Sequence, residues 1–124
     1  MLREMFKSKI HRAVVTGADI DYMGSLEVDT DLLAAADLIP NEKVQVVNLE
    51  TGARFETYVI PGEKGAGQVR ANGGAALLAR PGDVILVISY CVLAEEEART
   101  HQPVIAFVDE KNRLLPQSSA LVRP

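Results

Sequence analysis

Several residue types are scarce in this sequence, and each scarcity excludes a kind of protein. Among 124 residues there are no tryptophans, two histidines and a single cysteine, Cys91. One cysteine cannot form an internal disulfide, and Cys91 lies in an apolar run rather than in a Cys/His spacing that suits a metal. A disulfide framework is therefore excluded, and we expect a cytoplasmic protein without a bound metal.

Long apolar runs are also missing. The longest, VILVISYCVLA from Val84 to Ala94, is well short of the ~20 residues that a membrane helix needs. The start, MLREMFKSKI, is basic but is not followed by the apolar segment of a secretory signal. We therefore expect a soluble protein with no membrane partner.

An excess of positive charge is lacking as well. The net charge is −4 and the isoelectric point is near 5.1. The basic residues form no single stripe, which argues against nucleic acid as a partner. The first strand-like segment is a local exception, because it carries Arg3, Lys7, Lys9 and Arg12.

What the sequence does have is short apolar runs between turn signals. Hydrophobic residues make up 48% of the chain, and its length is that of one domain, residues 1–124. The predicted strands are 6–15, 22–28, 44–49, 54–60, 68–71, 103–109 and a strand buried on both faces within 81–93. Short helices are predicted from Thr30 and at EEEART. The pattern favours a mainly β domain, either a closed barrel or a sandwich.

The dipeptide Gly24-Ser25 lies inside one of these predicted strands, IDYMGSLEVD. A glycine there costs roughly 0.5–1 kcal/mol relative to alanine, so it marks a bulge or a close backbone approach. A chemical interpretation accounts for both residues. The serine hydroxyl attacks the preceding carbonyl in an N-to-O acyl shift, and the missing side chain of Gly24 permits the approach. β-Elimination and hydrolysis then leave a pyruvoyl group at position 25, whereas the simpler alternative is a plain turn.

The predicted strand 54–60 has one polar face. Its period of two separates Arg54, Glu56 and Tyr58 from Phe55, Thr57 and Val59. The polar face either serves a ligand or simply faces solvent, and the pattern favours solvent. The same choice applies to Lys9 and His11, which share a face of the first predicted strand.

The dipeptide Asn72-Gly73 is a strong hairpin-turn signal that needs no function. Its functional interpretation is that the amides after it form a concave nest for a carboxylate.

Other familiar motifs carry no chemistry in this chain. No GxSxG surrounds Ser25, and two histidines give thin support to a hydrolase triad. The segment PGEKGAGQ, which starts at Pro61, lacks the Gly-Lys-Ser/Thr ending of a phosphate loop and predicts a flexible loop. The run of three glutamates from Glu95 predicts a solvated helix face, and Cys91 predicts a core position.

Five segments together carry a resemblance to a known family. In chain order, MLREMFKSKIHRA, IDYMGSLEVD, TGARFETYVIPG, NGGAA and EEEAR resemble the pyruvoyl-dependent aspartate 1-decarboxylases over nearly the full length. The resemblance implies a small six-stranded double-psi β-barrel with short helices, a homotetramer with active sites between subunits, and self-cleavage into a β chain 1–24 and an α chain 25–124. It further implies decarboxylation of L-aspartate to β-alanine and CO₂ for pantothenate and coenzyme A biosynthesis, with a covalent pyruvoyl group and neither pyridoxal phosphate nor a metal.

The resemblance also implies roles for individual residues. Ser25 becomes the pyruvoyl group that forms a Schiff base with the substrate, and Tyr58 is the proton donor. The implied substrate-binding residues are Lys9, Arg54, Thr57, Asn72, Gly73, Gly74 and Ala75. The implied processing residues are Gly24, Ser25, Thr57, His11 and Tyr22.

One departure from the family is visible at the turn, where the family usually has Asn-Gly-Ala-Ala and this chain has Asn72-Gly73-Gly74-Ala75. Because backbone amides carry the role there, we expect the extra glycine to loosen the turn and alter affinity rather than remove the site. Two other functions stay open at this point. One is a non-enzymatic β-barrel binding module in which Gly24-Ser25 is only a bulge, and the other is a decarboxylase of another amino acid, such as glutamate.

Overall fold

Strands dominate the structure, a computed structural model that describes residues 1–118. The strands are β1 (Leu2–Val14), β2 (Gly17–Asp19), β3 (Ser25–Asp29), β4 (Lys43–Asn48), β5 (Arg54–Gly62), β6 (Val69–Asn72), β7 (Val84–Ala94) and β8 (Val104–Phe107). The helices are α1 (Thr30–Ala35), α2 (Glu95–Thr100) and a 3-10 helix, Gly73–Leu77. The prediction of a mainly β domain with short helices is confirmed.

The strands form one hydrogen-bonded order, β2-β6-β3-β5-β4-β7-β1-β8. Strand β7 pairs antiparallel with both β1 and β4, and β4 also pairs antiparallel with β5. Strand β3 pairs in parallel with β5 and antiparallel with β6. The first and last strands, β1 and β8, also pair in parallel. The described residues thus contain eight strands where the resemblance implies six, and closure of the sheet into a double-psi barrel stays a prediction.

The core is formed by the inward-facing residues of the strands, which alternate along each strand with outward-facing ones. Fully buried side chains include Ile10 of β1, Leu26 of β3, Val46 of β4 and Val87 of β7. Burying such a side chain is worth about 1.5–3 kcal/mol, so the alternation holds each strand in one register. Helix α1 covers this core with Leu32 and Leu33.

Helix α1 begins where β3 ends, at the buried side chain of Asp29. Its carboxylate accepts hydrogen bonds from the backbone N–H of Asp31 at 2.8 Å, Gly65 at 3.0 Å and Gly67 at 2.8 Å. The first bond caps the helix, and the other two fasten the glycine-rich loop after β5. The predicted helix from Thr30 and the predicted loop after β5 are both confirmed, although β5 itself extends to Gly62.

The hairpin of β4 and β5 also matches its prediction. The two strands pair antiparallel from Lys43 opposite Tyr58 to Val47 opposite Arg54. The turn between them places Gly52 at φ 78°, a backbone conformation that favours glycine.

Two strand predictions were wrong in detail. Strand β7 alternates buried and partly exposed residues instead of being buried on both faces, and Tyr90 and Val92 are 43% and 60% exposed. Strand β3 begins at Ser25, whereas the predicted strand began at Tyr22. The reason is a turn, because Asp19 accepts hydrogen bonds from the N–H of Asp21 at 3.0 Å and the N–H of Tyr22 at 3.4 Å.

Candidate active site

A cavity of about 320 Å³ lies where β3 begins, and it contains the Gly24-Ser25 dipeptide. Strand β5 supplies one wall, and the end of β6 with the 3-10 helix supplies another. The lining residues are Gly24, Ser25, Phe55, Glu56, Thr57, Tyr58, Asn72, Gly74, Ala75 and Leu78. The structure therefore brings together six of the predicted site residues around Ser25: Gly24, Thr57, Tyr58, Asn72, Gly74 and Ala75.

Ser25 and Asn72 are the buried polar pair of this cavity. They are 1% and 2% exposed and lie directly opposite each other in the antiparallel pair of β3 and β6. The Asn72 side-chain amide donates to the Ser25 hydroxyl oxygen over 3.4 Å, a long hydrogen bond. The same N–H suits a carbonyl oxygen at position 25, so the residues present fit a pyruvoyl group derived from this serine.

Gly73 holds the segment that precedes Ser25. Its φ is +60°, and a Cβ built on it lies 2.7 Å from the Gly24 Cα, 2.9 Å from the Gly24 N and 3.1 Å from the Tyr22 carbonyl oxygen. Any side chain at position 73 would therefore displace this backbone. The turn predicted at Asn72-Gly73 is present, and its first glycine is required by the close approach of the Tyr22–Gly24 backbone.

The sequence predicts that Gly24 lacks a side chain so that the backbone can approach closely. The structure does not support this reason for Gly24. A Cβ built on Gly24 meets nothing within 4 Å, and its φ lies outside the left-handed region. The steric demand for glycine belongs to Gly73, and position 24 has space for a methyl group in the uncleaved chain.

Strand β5 presents Thr57 and Tyr58 on opposite faces, as its period of two predicts. Tyr58 is 37% exposed and Thr57 is half-buried. Leu26 of β3 is opposite Val59 in the parallel pair with β5. Because the two strands run in the same direction, the residues just before this pair, Ser25 and Tyr58, are neighbours. Gly24 and Thr57 both line the same cavity.

Arg54 lies on the same face of β5 as Tyr58 but does not line the cavity around Ser25. The guanidinium Nη2 donates to the Gln45 side-chain oxygen at 3.2 Å. Within residues 1–118, no carboxylate forms an ion pair with Arg54. Its charge is therefore available to a ligand.

Like Arg54 and Gly73, the predicted site residues Lys9, His11 and Tyr22 do not line the cavity of the same chain. Lys9 of β1 lies opposite Ile88 of β7. Ile88 lies opposite Gln45 of β4, and Gln45 lies opposite Glu56 of β5. Three strand spacings separate Lys9 from β5, about 14 Å. Tyr22 is 53% exposed on the turn before Gly24.

Comparison with known proteins decides what kind of site this is. Residues 1–115 match the family model described as aspartate decarboxylase. The chain is similar to the aspartate 1-decarboxylase of Moorella thermoacetica, with 55% identity over 92% of this chain and 89% of the relative. It is also similar to those of Acetivibrio thermocellus (55%; 93% and 91%) and Listeria monocytogenes (50%; 97% of each). The chain belongs to the aspartate decarboxylase family. It is therefore an enzyme of the carboxy-lyase class.

In this aspartate decarboxylase family member, β1 carries two positive charges, Lys9 and Arg12, close to His11. Burial, followed by the charges of Lys9 and Arg12, lowers the pKa of the His11 imidazole below its usual value of 6.5. The His11 ring packs edge-on against Phe107, with ring centroids 5.3 Å apart, and its buried Nδ1 has no hydrogen-bond partner. His11 is thus held in its neutral form beside two cations.

Sequence reasoning assigned no site role to three residues of the cavity, of which two are apolar. Phe55, Glu56 and Leu78 line the cavity. The alternation along β5 was the sequence signal for Phe55 and Glu56, and Leu78 had no such signal. Among residues 1–118, no group of three or more His, Cys, Asp or Glu side chains is arranged to hold a metal ion. In the same part of the chain, no helix has both the length and the apolar character required to cross a membrane.

Proposed function

We propose that this chain decarboxylates L-aspartate to β-alanine and CO₂ after converting Ser25 into a pyruvoyl group. The observation that carries the proposal is the cavity in which buried Ser25 lies beside Asn72, Thr57 and Tyr58, in a member of the aspartate decarboxylase family. β-Alanine is the precursor that pantothenate biosynthesis requires, so we assign the enzyme to that pathway in the cytoplasm.

Maturation uses the chain's own groups. The Ser25 hydroxyl oxygen attacks the Gly24 carbonyl carbon, the bond from that carbon to the Ser25 nitrogen breaks, and an ester replaces the amide. Loss of the Ser25 α-proton then expels the Gly24 carboxylate and leaves dehydroalanine. Water adds to the tautomeric imine and releases ammonia, which leaves a ketone at position 25. The products are a β chain 1–24 and an α chain 25–124, of which the last six residues lie outside the described part.

Thr57 is placed to assist the first of these steps. It lines the same cavity as Gly24 and precedes Tyr58 on β5. Its hydroxyl can donate to the oxyanion that develops on the Gly24 carbonyl during the acyl shift. Removal of one such donor typically costs about 10²–10³ in rate.

Turnover assigns separate tasks to Arg54 and Tyr58. A pyruvoyl group at position 25, beside Asn72, would supply an electrophilic ketone for the substrate amine and an electron sink for decarboxylation. The Arg54 guanidinium binds a substrate carboxylate through its two-pronged donor geometry. Tyr58, beside position 25, donates a proton to the carbon that has lost CO₂, and general acid catalysis of this kind is worth about 10²–10⁴-fold.

A second copy of the chain completes the site in this proposal. Lys9 and His11 lie three strand spacings from β5 within one chain, so they can reach the cavity around Ser25 only from another subunit. The outward faces of β1 and β7 also leave apolar side chains exposed, with Leu2 at 71% and Val92 at 60%. We therefore assign the enzyme to the homotetramer that the family resemblance implies, with active sites between subunits.

The activity is tested by incubating the purified protein with L-aspartate or L-glutamate in parallel and quantifying the amine products. We expect β-alanine from L-aspartate and only a trace of γ-aminobutyrate from L-glutamate. A preference for L-glutamate would change the substrate, and the absence of decarboxylation in a fully cleaved sample would overturn the function.

The division between Thr57 and Tyr58 is tested by two conservative variants expressed and incubated identically. Tyr58→Phe deletes only the acid, so we expect it to cleave at Gly24/Ser25 but to lose most β-alanine formation per cleaved chain. Thr57→Val keeps the β-branched shape without the hydroxyl, so we expect mostly uncleaved chain. The opposite pattern of cleavage would show that the two roles are reversed.

A further inference from the structure

Side chains from three strands meet at Gln45 on the outer face of the sheet. Gln45 of β4 accepts two hydrogen bonds through its single side-chain oxygen, one from the Arg54 Nη2 at 3.2 Å and one from the Tyr90 hydroxyl of β7 at 3.1 Å. Strand β4 lies between β5 and β7, so the three side chains form a row across the sheet. None of the predicted roles involves Gln45 or Tyr90.

The charges around this row explain why no carboxylate among residues 1–118 forms an ion pair with Arg54. Glu56, two residues further along β5 and on the same face, is the acidic residue best placed to pair with it. The Glu56 carboxylate instead binds the Lys43 ammonium at 2.9 Å. This hydrogen bond and the charge of Glu56 raise the pKa of Lys43, so the lysine stays charged and keeps its partner. The Arg54 guanidinium is left with a neutral acceptor.

We propose that Gln45 is a positioning residue for Arg54, that Tyr90 fixes Gln45, and that together they hold the guanidinium for the substrate carboxylate. The inference rests on the proposed role of Arg54 in binding L-aspartate.

A neutral amide is suited to this task. A carbonyl oxygen has two lone pairs, and here both are occupied by donors, which fixes the orientation of the Gln45 amide. The guanidinium carries five N–H donors, so one bond to Gln45 restrains the side chain and leaves the other donors free. A carboxylate at the same place would neutralise the charge that the substrate requires, whereas an amide restrains the arginine without competing for it.

The test compares Gln45→Leu, Tyr90→Phe and the double variant with the wild type. Gln117→Leu is the matched control, since this exposed glutamine lies outside the row. For each protein we measure the cleaved fraction by mass, then kcat and KM for L-aspartate per cleaved chain. The inhibition constant of succinate, a dicarboxylate without the amine, reports carboxylate binding without chemistry.

We expect each single variant to raise the KM and the succinate inhibition constant roughly three- to tenfold, the range of a typical net hydrogen bond, with kcat within about twofold of wild type. The double variant should match Gln45→Leu alone, because Tyr90 acts through Gln45. The control should behave as wild type.

Two results would overturn the inference while leaving the proposed function intact. One is an unchanged KM in both single variants. A KM that stays unchanged while the cleaved fraction and the melting temperature fall is what a merely structural role predicts. The other is an additive double variant, which would show that Tyr90 does not act through Gln45. A wild type that forms no β-alanine would overturn the proposed function, and this inference with it.

Discussion

Replacing Gly73 with alanine is the perturbation whose consequence follows most directly from the geometry of the site. The new Cβ would lie 2.7 Å from the Gly24 Cα and 2.9 Å from the Gly24 N, closer than carbon atoms approach without bonding. The residue would also have to keep a φ of +60°, which costs an L-residue about 1–2 kcal/mol. The backbone before Ser25 must move, so we expect both stability and cleavage to suffer.

The backbone cost alone corresponds to a melting temperature lower by about 4–8 °C for a domain of this size. Gly74→Ala is the matched control, because a Cβ there meets nothing within 4 Å and its φ is not positive. Thermal melts and time courses of the cleaved fraction, followed by mass, compare the two variants. If Gly73→Ala melted and cleaved as the wild type does, the close contact between Gly73 and the Gly24 backbone would not control maturation.

Three further predictions test the chemistry and its electrostatics. Ser25→Ala should be folded, uncleaved and inactive, and β-alanine formed by this variant would contradict the proposed pyruvoyl chemistry. Hydroxylamine, which traps carbonyls, should inhibit the cleaved wild type, and added pyridoxal phosphate should not stimulate it. Hydrogen bonds from the Arg80 backbone N–H and the Asn48 side chain lower the pKa of Asp83 below its usual 3.8. The contribution of Asp83 to stability is therefore present above about pH 4 and is lost as the pH falls through the lowered pKa. Asp83→Asn should reduce the melting temperature at about pH 6 and weaken the dependence of the melting temperature on pH below about 4.

Local periodicity made part of this structure predictable. The hairpin of β4 and β5 follows from two alternating runs around a glycine-containing turn, and the opposite faces of Thr57 and Tyr58 follow from the period of a strand. The Gly24-Ser25 and Asn72-Gly73 dipeptides marked two further positions, the family resemblance implied roles for Thr57 and Tyr58, and Ser25, Asn72, Thr57 and Tyr58 all line one cavity.

Features that break the alternating pattern locally, or that depend on contacts between distant segments, were not predictable. Gly24 was placed inside a strand because the alternating pattern continues through it, yet Asp19 diverts the chain into a turn and β3 starts at Ser25. Strand β7 reads as apolar on both faces, so its sequence alone could not show that Tyr90 faces outward. The row from Arg54 through Gln45 to Tyr90 requires the register of three strands, one of them from a remote part of the chain.

Intact-mass analysis of the purified wild-type chain, followed by incubation with L-aspartate, tests self-activation at Ser25 most directly. We expect two fragments that divide between Gly24 and Ser25, with the larger one starting in a pyruvoyl group, and β-alanine formed in proportion to the cleaved fraction. β-Alanine formed at full rate by a chain that stays uncleaved, or a cleaved chain that carries an unmodified serine at position 25 and is nevertheless active, would contradict this mechanism.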